Sequence, residues 1–594
     1  MNQNGKHPIK LPIKNKALNR IVTRVAGLRP LIDIYDSWLR STRDDRLSVG
    51  EQLLDHALAA LDVELAWQDS GAPKHVPEIG PLIVVANHPL GGLEGMLLTR
   101  ELLKYRSDTK VLTNELLLRI PEFADLFIGL DVLSDDASRK NARGIRTACQ
   151  HLNAGGTLLI FPAGLVASIR PAKFRIEDSE WNKLVGWLAR RYRAACIPVY
   201  IDARNSPVFY LAGLIHRRLR TFLLPRELAN KQGRIVRAYC GELITARDID
   251  QLGDADKITG YLRLGTDMLA PTSSRSSYAA PARHVAAIAA NIETASLQEQ
   301  LSKLESYRLV DDDAFSVYCA PHHALGCLMS QIAVDRERTF RAVDEGTGRE
   351  LDSDNFDPYY WHLWAWSKKN REIVGAYRVG KIDEIIDEHG LACLYSRTVY
   401  KFDEAFINQI GSAIEVGRSF VTLPYQRHPK ALDLLWRGIG AFMVENSKYH
   451  TLFGGVSISQ QYSALARAFV ADAMMTNFCV SQEWQQQVRP QAPLRVSGKL
   501  WTPEVLASLG NVAIINKLLG NLDQGKRIPI LLRHYLALNG RFASFAVNTG
   551  FNHSLDGLII VDLREAPAKY LNRYLGKEGS ELFLQRWRRN VQAA

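Results

Sequence analysis

Short apolar runs alternate with helical stretches between residues 81 and 210. The runs occupy 82–85, 110–112, 158–160 and 197–201, and each is short enough for one strand. Residues 94–105 and 139–152 lie between them and carry apolar positions at helical spacing. This alternation predicts an α/β layer architecture for the first half of the chain.

The second half mixes strand-like runs, such as 372–379, with helical stretches, such as 432–445, and shows no repeat of solenoid period. Residues 271–283 (PTSSRSSYAAPAR) lack periodic hydrophobicity and are typical of an interdomain linker. Because 594 residues exceed what one hydrophobic core supports, several domains are expected. We predict an N-terminal segment at 1–50, an α/β domain at 51–270, the linker at 271–283, and a second α/β or α+β domain at 284–594.

The N-terminus combines an apolar stripe with positive charge. The stripe has helical spacing and consists of Leu18, Ile21, Val22, Val25 and Leu28. The first 29 residues hold seven Lys and Arg and no acid. A basic amphipathic helix of this kind can lie in the headgroup region of an anionic bilayer. Packing of the same helix on the first domain explains the stripe equally well.

Composition narrows the class of protein. Hydrophobic residues at 46% and charged residues at 23% are typical of a folded globular protein. The seven cysteines are never spaced as CxxC, which disfavours a disulfide framework or a zinc cluster, so a reducing cytoplasm is the simplest compartment. No apolar stretch approaches the ~20 residues of a membrane span. The net charge of +11 permits an anionic membrane, nucleic acid or acidic ligand without choosing among them.

The segment 84–95 (VVANHPLGGLEG) places a histidine and a carboxylate where a buried strand passes into a helix. Esterification of an alcohol by a thioester needs a base for the hydroxyl proton, and His88 is suited because the pKa of histidine lies near neutrality. Glu94 can fix the imidazole tautomer and stabilise the imidazolium. Alone, the pair fits a buried turn histidine better than a catalytic one.

Three ordered blocks favour a catalytic role for the pair over a buried turn histidine. The blocks are Asn87-His88-Pro89, residues 156–164 (GTLLIFPAG) and Ile197-Pro198-Val199. They resemble the lysophospholipid, or glycerolipid, acyltransferases across about residues 80–245. The resemblance implies that His88 and Glu94 are catalytic. It also implies that five further residues bind substrate, namely Asn87, Phe161, Pro162, Gly164 and Asn205.

Two departures from this family bear on the acceptor. The acid follows the histidine one position later than usual and is Glu94 instead of Asp. The family's FPEGTRS block is FPAGLVAS here, with Ala163 and Val166 in place of Glu and Arg. A phosphate would lose its bidentate cationic partner, so we expect a lyso-lipid with another headgroup. The basic run 216–220 could contact an anionic headgroup or carrier, or be a solvated helix face.

Charged and aromatic residues lie beside strand-like runs in the second half. They are Arg336 with Phe340 four positions later, Asp354 and Asp357, Arg378, and Glu415 with Arg418 three positions later. The series resembles the acyl-homoserine-lactone synthases and ornithine N-acyltransferases, GNAT-like enzymes that take an acyl chain from a carrier protein. The resemblance implies a GNAT-like fold for this half, and a site comprising Arg336, Phe340, Asp354, Asp357, Arg378, Glu415 and Arg418.

The chemistry of such a domain needs no covalent intermediate, because an amine held against a thioester attacks directly once deprotonated. Glu415 is the candidate to receive that proton or position the amine. Arg378 and Arg418 could hold an amino acid's carboxylate, or these charges could only pin a helix to the sheet. The segment 553–557 (HSLDG) falls short of the HHxxxDG motif of condensation enzymes, and we discount it.

Taken whole, the chain resembles the bifunctional ornithine lipid synthases. The resemblance implies N-acylation of ornithine or another amino acid by the second domain and O-acylation of the resulting lyso-lipid by the first. It further implies acyl carrier protein as donor, no cofactor or metal, and no nucleic-acid partner, at the inner face of the cytoplasmic membrane. A glycerolipid acyltransferase with an inactive second domain, and a membrane- or carrier-binding regulatory protein with vestigial folds, are the alternatives.

Overall fold

The computed structural model describes residues 7–11, 13–41, 46–68, 73, 76–131, 141–170, 175–271 and 285–593. These residues form two compact units. The first unit holds the described residues up to 271 together with Leu500–Gly525, and the second holds the remainder. Apart from its first residue, the predicted linker lies outside the described residues, as do the first six residues of the N-terminal segment.

The segment Leu500–Gly525 corrects the predicted boundaries, which placed it in the second domain. It packs on the first unit because its helix buries an apolar face that includes Ile515 and Leu518. Lys517 of this helix also lies 2.6 Å from a carboxylate oxygen of Asp248.

In the first unit, the helices and strands follow in chain order. They are α1 (Lys16–Val25), α2 (Leu28–Trp38), α3 (Val49–Leu61), β1 (Glu64–Trp67), β2 (Leu82–Ala86), α4 (Leu93–Leu103), β3 (Lys110–Asn114), β4 (Phe127–Leu130), α5 (Ala142–Asn153), β5 (Thr157–Ile160), β6 (Ser168–Arg170), β7 (Arg175–Glu177), α6 (Leu184–Arg191), β8 (Ala195–Asp202), α7 (Pro207–Ile215), α8 (Arg217–Ala229), β9 (Ile235–Cys240), α9 (Ala246–Leu252) and α10 (Ala255–Asp267), and, later in the chain, α18 (Pro503–Ala507) and α19 (Val512–Leu522).

The main sheet of this unit has the order β1-β9-β8-β2-β5-β3-β4. Its pairs are parallel except β8 with β9. All five residues of β2 are buried, since helices cover both faces of a parallel sheet, which explains its uninterrupted apolar run. The carboxyl end of β2 delivers His88 to the edge where parallel sheets commonly carry their sites.

The second unit has its own elements. They are α11 (Thr294–Ser302), β10 (Arg308–Asp311), β11 (Phe315–Pro321), α12 (Cys327–Arg341), β12 (Trp361–Ser367), β13 (Glu372–Lys381), α13 (Ile382–His389), β14 (Tyr400–Lys401), α14 (Glu404–Ile410), β15 (Ala413–Val421), α15 (Ala431–Glu445), β16 (Thr451–Ile458), α16 (Ala464–Asn477), α17 (Gln482–Gln487), β17 (Arg489–Pro490), α20 (Ile530–Ala537), β18 (Arg541–Asn548), β19 (Ser554–Asp562), α21 (Ala568–Leu575) and α22 (Lys577–Ala593).

The large sheet of the second unit has the order β10-β11-β12-β13-β15-β16-β19-β18. Neighbouring strands are antiparallel except for β15 and β16, which run parallel. The α/β fold class predicted for both halves is confirmed. Among the described residues, none of the helices combines the length and apolarity needed to cross a bilayer.

Candidate active sites

His88 and Glu94 meet in the first unit as the sequence suggested. The imidazole Nδ1 lies 2.9 Å from Glu94 Oε1, and the Glu94 side chain is fully buried. The backbone amides of Leu90 and Gly91 donate to the same oxygen at 3.0 and 2.9 Å. Gly91 adopts a φ of 108°, which lets the loop turn back toward the carboxylate. The longer side chain of Glu94 therefore spans the one-residue shift from the family's spacing.

Opposing effects act on the pKa of Glu94. Burial alone would raise it, but the nearby imidazole and the backbone hydrogen bonds hold it below its ordinary value. Glu94 is consequently ionised at neutral pH and can stabilise a protonated His88. The geometry suits a general base, although the catalytic roles of the two residues stay predictions.

The two predicted asparagines hold the loop that carries His88. The Asn87 amide donates to the Ile201 carbonyl at 3.0 Å and accepts from the Ile201 amide at 2.7 Å, which joins the end of β2 to β8. Asn205 Nδ2 donates to the carbonyls of Pro89 and Leu90 at 3.1 and 3.2 Å. Both asparagines are buried, so their contacts are those of positioning residues.

Asp178 is a neighbour of His88 that sequence reasoning missed. The backbone amide of His88 donates to its carboxylate at 3.2 and 3.3 Å, and the indole of Trp181 donates at 3.2 Å. Burial raises the pKa of this carboxyl above its ordinary value. It lies outside the motif blocks, so the sequence carries no signal for it.

An apolar cavity of about 580 Å³ opens beside the imidazole. His88, Phe161, Pro162 and Gly164 line one part of it, with the Phe161 ring centroid 4.8 Å from that of His88. Most of the remaining wall is aliphatic and aromatic side chains of α2, α3, α8 and the sheet. Such a wall fits an acyl chain, because burying each methylene contributes about 0.8 kcal/mol.

The FPAGLVAS block presents an apolar surface. Ala163 and Val166 are both buried, and Val166 lines the cavity. The Ala167 amide donates to the His88 carbonyl at 2.8 Å, which ties the block to the histidine loop. Where the resembling family carries a glutamate and an arginine, this chain thus supplies no charge.

Strands β15 and β16 of the second unit separate part-way along their length. They pair from Ala413 with Thr451 to Glu415 with Phe453, and in the described strands the pairing stops there, although β15 continues to Val421 and β16 to Ile458. Arg418 lies just past this point with a φ of 46°, a strained value for a residue other than glycine. The opening leaves strand edges to which an extended thioester arm can hydrogen-bond.

Three arginines and three aspartates form a buried network beside this opening. Arg336 donates to both oxygens of Asp357, at 3.2 and 2.9 Å. Arg378 reaches Asp354 at 2.7 Å and Asp357 at 3.2 Å. Burial alone would raise the pKa of Asp357, but Arg336 and Arg378 hold it far below its ordinary value.

Arg418 completes the network from β15. Its guanidinium lies 3.2 Å from oxygens of both Asp352 and Asp354. It also donates to the Tyr395 hydroxyl at 3.1 Å and stacks on the Phe551 ring at 4.8 Å. Phe551 in turn contacts the predicted Phe340, with 4.8 Å between ring centroids. The predicted residues of this half therefore meet in one place, and Arg336 of α12 binds Asp357, which also binds Arg378 of β13.

Glu415 is buried and already has hydrogen-bond partners. One oxygen accepts from the Tyr360 hydroxyl, and the other accepts from the Ser396 amide at 2.7 Å. The Tyr395 amide donates to the same Tyr360 hydroxyl at 2.8 Å. Burial raises the pKa of Glu415 above its ordinary value. Its contacts are those of a residue that positions Tyr360 and the loop at 395–396, and the Tyr360 hydroxyl offers a path by which a substrate proton could reach it.

Glu345 and Asp556 are two further buried carboxylates near Arg418 that sequence reasoning missed. Burial and the neighbouring Asp556 charge raise the pKa of Glu345 to about 8. Asp556 accepts from Asn548 and Ser554, each at 2.7 Å. The only signal was that Asp556 belongs to the discounted HSLDG segment.

Family models match both units. Residues 65–272 match the family described as "Acyltransferase", and residues 336–437 match the family described as "Acetyltransferase (GNAT) domain". The chain is an acyltransferase. The predicted joining of an acyltransferase domain to a GNAT domain is therefore confirmed.

Several curated proteins are similar to this acyltransferase. It is 28% identical over 293 residues to the glycine N(alpha)-acyltransferase of Phocaeicola vulgatus, covering 47% of this chain and 89% of that protein. It is 28% identical over 169 residues to the lyso-glycine lipid O-acyltransferase of the same organism, covering 28% of this chain and 57% of that protein. It is 24% identical over 340 residues to the L-ornithine N(alpha)-acyltransferase of Rhizobium meliloti, covering 56% of this chain and 96% of that protein.

Proposed function

We propose that this acyltransferase makes a two-chain amino-acid lipid, with ornithine as the amino acid. The second unit would transfer a 3-hydroxyacyl chain to the α-amine, and the first unit would esterify the new hydroxyl with a second chain. The observation that carries the proposal is the presence of two sites in one chain. One is a His-Glu dyad at an apolar cavity, and the other is the opening between β15 and β16 beside the buried Arg-Asp network. Relatives named for each step support it.

In the first step, the amine nitrogen attacks the thioester carbon, the amide bond forms and the carbon–sulfur bond breaks. The amine loses a proton, and the departing thiolate gains one. We propose Glu415 as the proton acceptor, acting through the Tyr360 hydroxyl that it binds. Glu345 is the other carboxylate suited to this role, since a base with a pKa near the working pH is most efficient.

Ornithine is favoured over glycine by the pair of carboxylates. Glu345 and Asp556 are buried close enough for the Asp556 charge to raise the pKa of Glu345. The second ammonium group of ornithine would lower that pKa and pair with the ionised Glu345, whereas glycine carries no second ammonium group. Glu345→Gln should therefore raise the KM for ornithine.

In the second step, His88 takes the proton from the 3-hydroxyl while the oxygen attacks the second thioester. The ester bond forms, the carbon–sulfur bond breaks, and the proton on the imidazole can pass to the thiolate. Glu94 stabilises the imidazolium between these transfers. The wall of the cavity would hold an acyl chain away from water.

We propose acyl carrier protein as the donor of both acyl chains. We also propose that the reactions take place at the inner face of the cytoplasmic membrane. Support for the membrane comes from exposed apolar side chains on α1, namely Leu18, Ile21 and Val25, beside its basic residues. Further support comes from α7, where Leu211, Leu214 and Ile215 are exposed. Single exposed apolar residues are ordinary, but clusters of this kind mark a surface that contacts a membrane or a protein.

The proposal is tested by expressing the chain in a bacterial host that makes no aminolipid and analysing its lipids by mass spectrometry. We expect a new ornithine lipid with an amide-linked 3-hydroxyacyl chain and an ester-linked second chain. A glycine or lysine headgroup would correct the amino acid alone. If the host makes the folded protein but no aminolipid, the proposed function is contradicted.

A further inference from the structure

Arg220 of α8 is a buried cation on the wall of the His88 cavity. The residue is 8% exposed, and its guanidinium lies 5.9 Å from the Phe209 ring centroid. Among the described residues, no acidic side chain pairs with it. Burial lowers its pKa from the ordinary value, as expected where a charge has lost water without gaining a counter-ion.

The rest of the described wall offers this cation no anionic partner. It contains no aspartate or glutamate, and its other arginine, Arg119, is exposed to solvent. A buried guanidinium without an anionic partner is costly in an apolar setting. A ligand with a negative charge would give Arg220 the partner that the described wall lacks.

We propose that Arg220 binds the carboxylate of the lyso-lipid acceptor, an inference that rests on the proposed function. N-acylation consumes the amine of an amino acid and leaves its carboxylate as an anion close to the 3-hydroxyl. A guanidinium matches a carboxylate with two parallel hydrogen bonds. The site would thus select N-acyl amino acids as a class, whatever their side chain.

This assignment also accounts for the apolar FPAGLVAS block. The residues at the positions of the family's charged pair, Ala163 and Val166, are buried and apolar, so the anion of the acceptor needs a cation from another element. Helix α8 supplies one. A phosphate dianion would be only half neutralised by it, which favours the singly charged carboxylate.

The test compares two acceptors on the full-length protein, N-(3-hydroxyacyl)ornithine and its methyl ester, which keeps the hydroxyl but lacks the carboxylate. The wild-type protein should prefer the free acid by on the order of 10–100-fold in KM, the range expected for hydrogen bonds to a charged group. Arg220→Gln should raise the KM for the acid to that of the ester with little change in kcat. Arg220→Lys should recover part of the preference.

Arg190→Gln is the matched control, because Arg190 is an exposed arginine on α6, outside the basic run at 216–220, and its loss should leave both KM values unchanged. Equal use of acid and ester by the wild-type protein would overturn the proposal without any variant. So would an Arg220→Gln protein that keeps the preference and raises only the KM for the thioester donor, since Arg220 would then bind the phosphate of the donor's arm. Failure of the wild-type protein to acylate either hydroxyl would instead contradict the proposed function.

Discussion

Exposed apolar side chains on α7 predict how tightly the protein binds a membrane. Leu211, Leu214 and Ile215 are 59%, 53% and 78% exposed, and the run from 203 to 226 holds five arginines and no acid. Burying a fully exposed Leu or Ile contributes about 1.5–3 kcal/mol. Scaled to these exposures, inserting the three side chains together contributes about 3–6 kcal/mol, which corresponds to roughly 10²–10⁴-fold in vesicle partitioning.

The perturbation is the triple substitution of these residues by serine, and the assay is sedimentation with vesicles that contain anionic lipid. The matched control replaces Ile79 and Ile235, which are 86% and 66% exposed in the same unit, by serine. The control should bind as the wild-type protein does, while the triple variant should lose most of its binding. Equal pelleting of the triple variant and the wild-type protein would refute the reasoning.

Three further predictions follow from the same structure. Removing residues 1–29 should weaken sedimentation with anionic vesicles at low salt more than at high salt, because α1 is basic. Equal pelleting of the full-length and the shortened protein at both salt concentrations would contradict this. Lysophosphatidic acid should be acylated far more slowly than N-(3-hydroxyacyl)ornithine in a thioester-consumption assay, and equal rates would refute the inference from Ala163 and Val166. Glu345 keeps its proton in the folded state from its ordinary pKa of 4.5 up to about 8, so stability should fall as pH rises through that window. Thermal unfolding of Glu345→Gln should show a flatter dependence on pH, and an unchanged slope would contradict the raised pKa.

Local pattern was sufficient where the site follows a strand. The apolar run of β2 and the glycines after it place His88 and Glu94 within one short loop, so their contact could be predicted from the sequence. The positions of Arg378 and Arg418 on strands of the second unit could also be predicted from the sequence, because both residues lie beside apolar runs.

Contacts between distant segments could not be read in the same way. Asp178 reaches the amide of His88 across 90 residues. Arg220 reaches the cavity from a basic run for which the sequence left open both an anion contact and a solvated helix face. The packing of α19 on the first unit depends on a chain path that passes through the second, which no local pattern encodes. The partners of Glu415 likewise depend on Tyr360, which carries no signal at the level of sequence.

The proposed function requires the two sites to act in a fixed order, since the hydroxyl to be esterified by the first unit would exist only on the product of the second. The most direct measurement is the lipid composition, by mass spectrometry, of cells expressing His88→Ala, Glu415→Ala or Arg418→Ala, with a thermal melt as control for folding. Removing a catalytic base costs about 10²–10⁴ in rate. His88→Ala should accumulate the mono-acylated lyso-lipid, whereas the other two should lack both lipids and recover the finished one when lyso-lipid is supplied. Normal levels of the two-chain lipid with His88→Ala, or lyso-lipid retained by both folded second-unit variants, would contradict the account.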